Sequence, residues 1–150
     1  MPGTVVVGYQ QGDRFEITVR HHVLHADQPV PDGGDDSAPT PTELFVVSLA
    51  SCVAFYARRF LARHELPATG LSVTAEFEMA TRPTRVGDID LTIHLPDAVP
   101  DDKRPALLAV ASHCTVHNTL EQPPSVHIEL GGDSTPAMSG GWQAGGDRPA

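Results

Sequence analysis

The sequence predicts an α+β fold in one domain over residues 1–130. Two groups of β-type segments lie on either side of one long apolar helix, and a shorter helix follows the second group. The chain has 150 residues, of which 40% are hydrophobic and only 5% aromatic, a balance typical of a globular domain with an aliphatic core. Because a sheet with one apolar face needs a covering layer, we expect the helices to pack over the strands.

The N-terminal part predicts a β-hairpin followed by a long loop. Residues 4–9 and 15–24 are rich in Val, Ile and Thr, and a Gly-containing turn separates them. Residues 27–41 read DQPVPDGGDDSAPTP, where Pro, Gly and Asp disfavour both helix and strand. Loops of this length are often functional.

A well-marked helix follows the loop. Thr40 is a suitable N-cap, Pro41 suits the first helical position, and Glu43 completes the pattern of a capping box. We expect the helix to run to about His64. Its surface is nearly all apolar, more than one small sheet can cover, so it predicts a homodimer with this helix at the centre.

The second half of the chain predicts four further segments. Residues 71–80 and 87–95 alternate in polarity around a turn and predict a second β-hairpin. Residues 101–112 have helical spacing, and residues 126–130 predict a final strand. Residues 131–150 form a tail of Gly, Ser and Pro with too little apolar surface to order itself, so we exclude it from the core.

Charge and apolar runs restrict the partners. The formal net charge of −9 disfavours nucleic acid and anionic membranes, since phosphate binding needs clustered Lys and Arg. The first 20 residues lack the pattern of a secretory signal. The longest apolar run, residues 44–57, is too short to cross a bilayer. We therefore expect a cytoplasmic protein that acts on a small molecule or another protein.

Two cysteines are the candidate reactive groups. Cys52 shares one helix face with Phe45 and Leu49, which predicts a buried position. Cys114 lies in HCTVHNTL, where one helix gives way to another, and a helix N-terminus stabilises thiolate and lowers its pKa. The cytoplasm keeps exposed thiols reduced, which argues against a permanent disulfide in this chain. Two inert core thiols are an open alternative.

Neighbouring side chains have two interpretations each. His113 and His117 flank Cys114 with a spacing that mimics a metal site, but no fourth ligand is evident, so we predict no metal and no cofactor. Aromatic and thioether side chains either line an apolar pocket beside Cys52 or belong to the core. These are Phe45, Phe55, Phe60 and Met79.

Three segments together resemble the OsmC/Ohr family. PTELFVVSLASC, running into VAFYARRFLARHEL, is similar to the first cysteine helix of that family, and HCTVHNTL is similar to its second cysteine segment. The GG of PDGGDD before the helix also resembles the family. The resemblance spans roughly residues 4–130, and it implies an OsmC-like fold and an intertwined homodimer whose cysteines meet at the subunit interface.

The activity that the resemblance implies is the reduction of organic hydroperoxides by thiols. Cys52 would be the peroxidatic cysteine and Cys114 the resolving cysteine, which would make the chain an antioxidant stress protein. An external dithiol, either a small thiol or a lipoyl or thioredoxin-like protein, would complete the cycle.

The sequence departs from the family at the groups that activate the thiol. A thiol in an apolar helix needs a cation or a hydrogen-bond donor to ionise at neutral pH. In better-studied members of the family that the chain resembles, this group is an Arg, held by a Glu that directly follows the helix-start proline. Here Thr42 occupies that position and the acid follows at Glu43, which is either the substitute or half of a capping box. Arg20 is the preferred cation and Arg14 the other candidate, with a solvated strand residue as the alternative for Arg20.

This departure favours a divergent branch of the family. It keeps a second function open, namely an OsmC-like dimer that senses redox state or binds a ligand without efficient peroxidase turnover.

Overall fold

The computed structural model describes residues 3–132, and within them the chain forms two antiparallel sheets and three α-helices. The predicted α+β class is confirmed. The strands of the first sheet are β1 (Val5–Gln11), β2 (Arg14–Val19) and β3 (His22–Ala26), and those of the second are β4 (Ser72–Ala80) and β5 (Arg85–His94). The helices are α1 (Pro41–Arg63), α2 (Arg104–Ala111) and α3 (Thr115–Glu121).

The first sheet corrects the predicted N-terminal hairpin, because it has three strands. Residues 15–24 were expected to form one strand, but the chain reverses at Arg20, whose φ is 54°. The strand β3 then pairs with β2 in antiparallel register, with Val19 opposite His22. A left-handed backbone is unusual for a residue other than Gly, Asn or Asp, so the sequence carries no ordinary turn signal at this position.

This sheet leaves much of its apolar surface exposed in the single chain. Val5, Val7 and Tyr9 are 59%, 57% and 66% exposed. The principal contacts of α1 in the described part of the chain are with α2, α3, β4 and β5, and not with β1, β2 or β3. The first sheet therefore adds little to the core that surrounds the long helix.

The long helix begins as predicted. The Thr40 hydroxyl accepts a hydrogen bond from the Glu43 N–H at 3.1 Å, and the Glu43 carboxylate accepts one from the Thr40 N–H at 2.9 Å. This capping box satisfies two backbone N–H donors at once, those of Thr40 and Glu43. The helix ends at Arg63, one residue before the predicted end at His64.

The length of α1 bears on the membrane prediction. With 23 residues and a mean hydropathy of 1.6 over its most apolar stretch, α1 is long and apolar enough to cross a bilayer, although the apolar run seen in the sequence is shorter. A core helix in a soluble protein has the same properties, and one side of α1 is buried in the core. Its buried residues are Val46, Leu49, Val53, Ala57, Phe60 and Leu61.

The second hairpin forms as predicted and covers α1. In its register, Val73 lies opposite Ile93, Ala75 opposite Leu91, and Phe77 opposite Ile89. Most of these side chains pack against the buried cluster, so one face of the hairpin belongs to the core. The helix predicted at residues 101–112 begins with a 3₁₀ turn, Asp101–Lys103, and continues as α2.

The predicted final strand is wrong for the single chain. Residues 126–130 form no hydrogen-bonded strand, and Ile128 and Leu130 are 62% and 95% exposed. The alternating pattern is present, but a strand also needs a hydrogen-bonded neighbour, and residues 126–130 pair with none of the strands β1 to β5. Of the predicted tail, residues 133–150 lie outside the described residues.

The loop before α1 is organised around a buried carboxylate. Asp27 is 1% exposed, and it accepts hydrogen bonds from the Ser37 N–H at 2.9 Å, the Ser37 hydroxyl at 2.6 Å and the Gln28 N–H at 2.8 Å. The loop passes so close to itself that a Cβ on Gly34 would lie 2.0 Å from the Gln28 carbonyl oxygen. Only glycine fits there, which accounts for one residue of the GG pair.

We predict that acid weakens the fold through Asp27. Hydrogen bonds from Ser37 and Gln28 lower the pKa of Asp27 from 3.8 to about 2. Because the folded-state pKa is lower than the ordinary one, the ionised carboxylate stabilises the fold above about pH 4, and this contribution is lost as the pH falls towards about 2. Urea unfolding of wild-type protein across that range measures the loss.

The Asp27→Asn variant should be less stable than wild type at pH 7 and should lose less stability between about pH 4 and pH 2. Asp32→Asn, which removes an exposed carboxylate from the same loop, serves as the matched control and should keep the wild-type loss. An equal loss in Asp27→Asn and wild type would contradict the assignment.

Candidate functional site at the two cysteines

The fold makes neighbours of the two cysteines. Cys52 lies midway along α1, and Cys114 is the N-cap of α3, a helix that packs against α1. The Cys52 thiol is close enough to raise the pKa of the Cys114 thiol. Both thiols are free, so this is a reduced pair held side by side.

Burial dominates the surroundings of Cys114. Its side chain is 0% exposed and belongs to the core cluster. Its sulfur accepts a hydrogen bond from the His117 N–H at 3.4 Å. Burial nevertheless raises the pKa of Cys114, and the neighbouring Cys52 raises it further, whereas the N–H groups of His117 and Val116 act in the opposite direction.

This result corrects the expectation that the helix N-terminus lowers the pKa of Cys114. The predicted cap is present, but α3 has only 7 residues, and removal of the sulfur from water disfavours its charged form more than the N–H donors favour it. The raised pKa therefore keeps the Cys114 thiol protonated at neutral pH.

Cys52 is the more accessible of the two. Its side chain is half-buried and packs on the edge of the core cluster, so it is less deeply placed than the sequence pattern suggested. One helical turn further along, the Tyr56 hydroxyl forms a hydrogen bond of 2.9 Å with the hydroxyl of Thr115, the residue after Cys114. The two helices are thus joined beside both thiols.

The histidines near Cys114 are engaged in local contacts. The His117 Nε2 lies 3.2 Å from a Glu121 carboxylate oxygen, and its Nδ1 contacts the Ser112 carbonyl. The His113 Nδ1 contacts the Ala109 carbonyl at 2.8 Å. Between residues 3 and 132, no group of three or more His, Cys, Asp or Glu side chains is placed to hold a metal ion.

A cavity of about 490 Å³ with mixed apolar and polar lining lies between α1, β5 and α3; it is near the cysteine-bearing turns, but neither cysteine lines it. Phe45 and Leu49 line it from α1, and His117 and Leu120 line it from α3. The strand β5 contributes Val86, Gly87, Ile89 and Leu91, and α3 also contributes Glu121.

Of the four residues proposed for an apolar pocket, only Phe45 lines this cavity. Phe60 is buried in the core, whereas Phe55 and Met79 are 53% and 49% exposed. The sequence did not reveal the contributions of β5 and α3, because they depend on tertiary packing and carry no local signal. The hydrophobic spacing of Leu120 along α3 was the one available indication.

The predicted cations and acid do not touch the thiols in the described chain. Arg20 is exposed in the turn between β2 and β3. Arg14, at the start of β2, donates to the Gln10 side-chain oxygen at 2.8 Å and to the Ser37 hydroxyl at 2.7 Å. The Glu43 carboxylate is held in the capping box, and no ion pair among residues 3–132 joins it to an arginine.

The fold and the site define a class of small α+β proteins in which two cysteines from separate helices meet. The family model described as OsmC-like protein matches residues 34–129, which is more than half of the chain. The chain belongs to the OsmC/Ohr family.

Solved structures share this fold. A Psychrobacter arcticus protein, described as a candidate osmotic stress induced and detoxification response protein, is 25% identical with a TM-score of 0.72 over 77% of this chain and 86% of that chain. The organic hydroperoxide resistance protein OsmC from Legionella pneumophila is 20% identical, with a TM-score of 0.62 over 80% and 89%.

An organic hydroperoxide resistance protein from Elizabethkingia anophelis, with thiocyanate bound, is 16% identical with a TM-score of 0.63 over 82% of this chain and 90% of that chain. A comparison with curated proteins gave no match. The three structures share their fold with 77–82% of this chain.

We predict that an alkylating reagent modifies Cys52 before Cys114 in the native protein. Cys52 is half-buried, whereas Cys114 is buried and its pKa is raised, and the thiolate is the form that reacts. Iodoacetamide labelling at neutral pH, followed by peptide mass spectrometry, gives the order of modification. The same reaction in urea is the control and should label both cysteines, while faster native labelling of Cys114 would contradict the prediction.

Proposed function

We propose that this protein is a thiol-dependent reductase of organic hydroperoxides, with Cys52 as the peroxidatic and Cys114 as the resolving cysteine. The observation that carries the proposal is a pair of neighbouring free thiols, unequal in exposure, near a cavity lined by aliphatic and aromatic side chains together with His117 and Glu121. Membership of the OsmC/Ohr family, with relatives described as organic hydroperoxide resistance proteins, supports a peroxide-related stress protein.

The reaction follows from thiol chemistry. The Cys52 thiolate attacks the terminal oxygen of the hydroperoxide, the O–O bond breaks, and the alcohol leaves with a proton while Cys52 becomes a sulfenic acid. The Cys114 sulfur then attacks the Cys52 sulfur, water leaves, and a disulfide forms. An external dithiol reduces the disulfide by exchange and is itself oxidised.

The unequal burial of the thiols supports this assignment of roles. The attacking sulfur must meet a substrate from solvent, and Cys52 is the accessible one. Cys114 is buried with a raised pKa, so at neutral pH it is less reactive towards peroxide. It needs to react only with a sulfur that is already its neighbour, where proximity replaces intrinsic reactivity.

The cavity supports an organic substrate in preference to hydrogen peroxide. Leu49 lies one helical turn before Cys52, and His117 lies one turn after Cys114, and both line the cavity. An alkyl or aryl group placed there removes apolar surface from water, at about 25 cal/mol per Å². Hydrogen peroxide has no such group and gains nothing from the cavity.

Arg14 is the better supported of the two candidate cations. Its guanidinium is held from two sides, by Gln10 and by Ser37, and Ser37 is in turn hydrogen-bonded to the buried Asp27 carboxylate. Arg20 is exposed at a turn. Since Glu43 is engaged in its capping box, the Ser37 network replaces a glutamate as the support for the arginine.

A homodimer completes this proposal. The exposed apolar side chains of β1 and the unpaired residues 126–130 are the surfaces that a second copy would cover. Arg14 would then approach a cysteine pair across an intertwined interface. The remaining partners are the hydroperoxide and a dithiol, either a small thiol or a lipoyl or thioredoxin-like protein, in the cytoplasm.

A second function is favoured by one observation. Glu43 is held by Thr40 at the helix start, and within residues 3–132 it forms no ion pair with an arginine. A dimer of this kind would form one disulfide per oxidant encounter and would sense redox state or bind a ligand without efficient turnover.

We predict opposite outcomes for the two cysteine variants. Cys52→Ser should abolish consumption of cumene hydroperoxide or tert-butyl hydroperoxide with a dithiol donor, because it removes the nucleophile. Cys114→Ser should leave a sulfenic acid at Cys52, detected by dimedone labelling and mass spectrometry. A wild-type protein that consumes no organic hydroperoxide with any dithiol would end the proposal, and a single disulfide without cycling would favour the second function.

We predict that Arg14→Gln slows oxidation of Cys52 by about 10- to 100-fold. The substitution removes the guanidinium that would stabilise the Cys52 thiolate, and a hydrogen bond to a charged group is worth about 1.5–3 kcal/mol. Arg14→Lys should recover part of the rate because it keeps the charge. Stopped-flow measurement of a single oxidation event gives the rate. Arg20→Gln is the matched control and should oxidise like wild type; the reverse pattern would identify Arg20 as the cation.

A further inference from the structure

One side-chain hydrogen bond joins the two cysteine-bearing helices. The hydroxyls of Tyr56 and Thr115, which are 59 residues apart in the chain, lie 2.9 Å from each other. Tyr56 is one helical turn after Cys52 on α1, so the two side chains lie on the same side of that helix. Thr115 directly follows Cys114. The bond therefore runs beside the thiol pair.

The helix α3 has 7 residues, and none of them is fully buried. The side chains of His117 and Asn118 hold α3 to the preceding turn, at the Ser112 and His113 carbonyls, and Val116 packs against the core cluster. The N-cap of α3, Cys114, is inserted in the core, and the Tyr56 bond holds the first residue after it. By contrast, α1 is anchored by a full stripe of buried residues. Loss of the Tyr56 bond would thus displace α3, while α1 stays in place.

Disulfide closure is sensitive to such movement. The Cα atoms of a disulfide usually lie 4.4–6.8 Å apart with a restricted torsion about the sulfur atoms, so a small displacement of one helix removes many competent arrangements. A contact that keeps both cysteine backbones in place increases the fraction of time in which the sulfurs are ready to join.

We propose that Tyr56 and Thr115 are positioning residues that hold Cys114 in place to close on Cys52. The inference rests on the proposed function, since it concerns the step in which the Cys52 sulfenic acid loses water to form the disulfide. It assigns no contact with the hydroperoxide to either hydroxyl. The first step, in which Cys52 attacks the peroxide, should therefore be independent of the bond.

The test separates these two steps. Tyr56→Phe, Thr115→Val and the double variant remove the hydrogen bond with little change of volume. Thr119→Val is the matched control, because the Thr119 hydroxyl bonds only to the Thr115 carbonyl within α3. Rapid quenching with dimedone after one equivalent of cumene hydroperoxide gives the rate of sulfenic acid formation and the rate of its conversion to disulfide.

We expect disulfide closure to slow by about 2- to 10-fold in each single variant, from the typical net value of one neutral hydrogen bond. The double variant should be no slower than the slower single variant, because both substitutions remove the same bond. Sulfenic acid formation should match wild type in all three. Closure at the wild-type rate in Tyr56→Phe and Thr115→Val, or equal slowing in Thr119→Val, would overturn the inference.

A second measurement distinguishes this inference from the proposed function. Equilibration of the thiol pair with reduced and oxidised glutathione needs no peroxide. In this equilibrium, Tyr56→Phe and Thr115→Val should each favour the dithiol over the disulfide by about 2- to 10-fold relative to wild type. If that shift appears but wild type consumes no hydroperoxide, the positioning role stands and the peroxidase proposal fails. If wild type forms no Cys52–Cys114 disulfide with either oxidant, both fail.

Discussion

The packing of α1 into the core is the constraint on which the rest of the structure depends. Leu49, Val53, Ala57 and Leu61 recur every four residues and form one buried stripe, and full burial of each large aliphatic side chain contributes about 1.5–3 kcal/mol. The second hairpin covers part of this stripe, and α2 and α3 cover another part. The same contacts determine where Cys52 lies, so the core and the candidate site cannot be separated energetically.

Local signals in the sequence were sufficient for the elements that depend on local interactions. The capping box at Thr40 and Glu43 predicted the start of α1, and alternation predicted the second hairpin. The division between β2 and β3 was missed because Arg20 adopts a left-handed conformation without a residue that favours it. The strand at residues 126–130 was predicted from a pattern alone, whereas a strand also requires pairing with a neighbouring strand, which is a tertiary contact.

The candidate site shows the same division between local and tertiary effects. The sequence located both cysteines and correctly placed Cys114 at a helix start. It did not reveal that this helix start is buried, and burial reverses the expected direction of the pKa shift. The support of Arg14 by Ser37 was equally hidden, since that contact joins a strand to a loop 23 residues away.

Complete burial of Cys114 has a consequence for the oxidised protein. In a Cys52–Cys114 disulfide, only the sulfur of Cys52 would be open to an incoming thiolate, so the mixed disulfide with a reductant would form at that residue and Cys114 would depart. A thiol of raised pKa is a poor leaving group in exchange. The burial that makes Cys114 unreactive in the reduced protein would therefore also slow reduction of the disulfide.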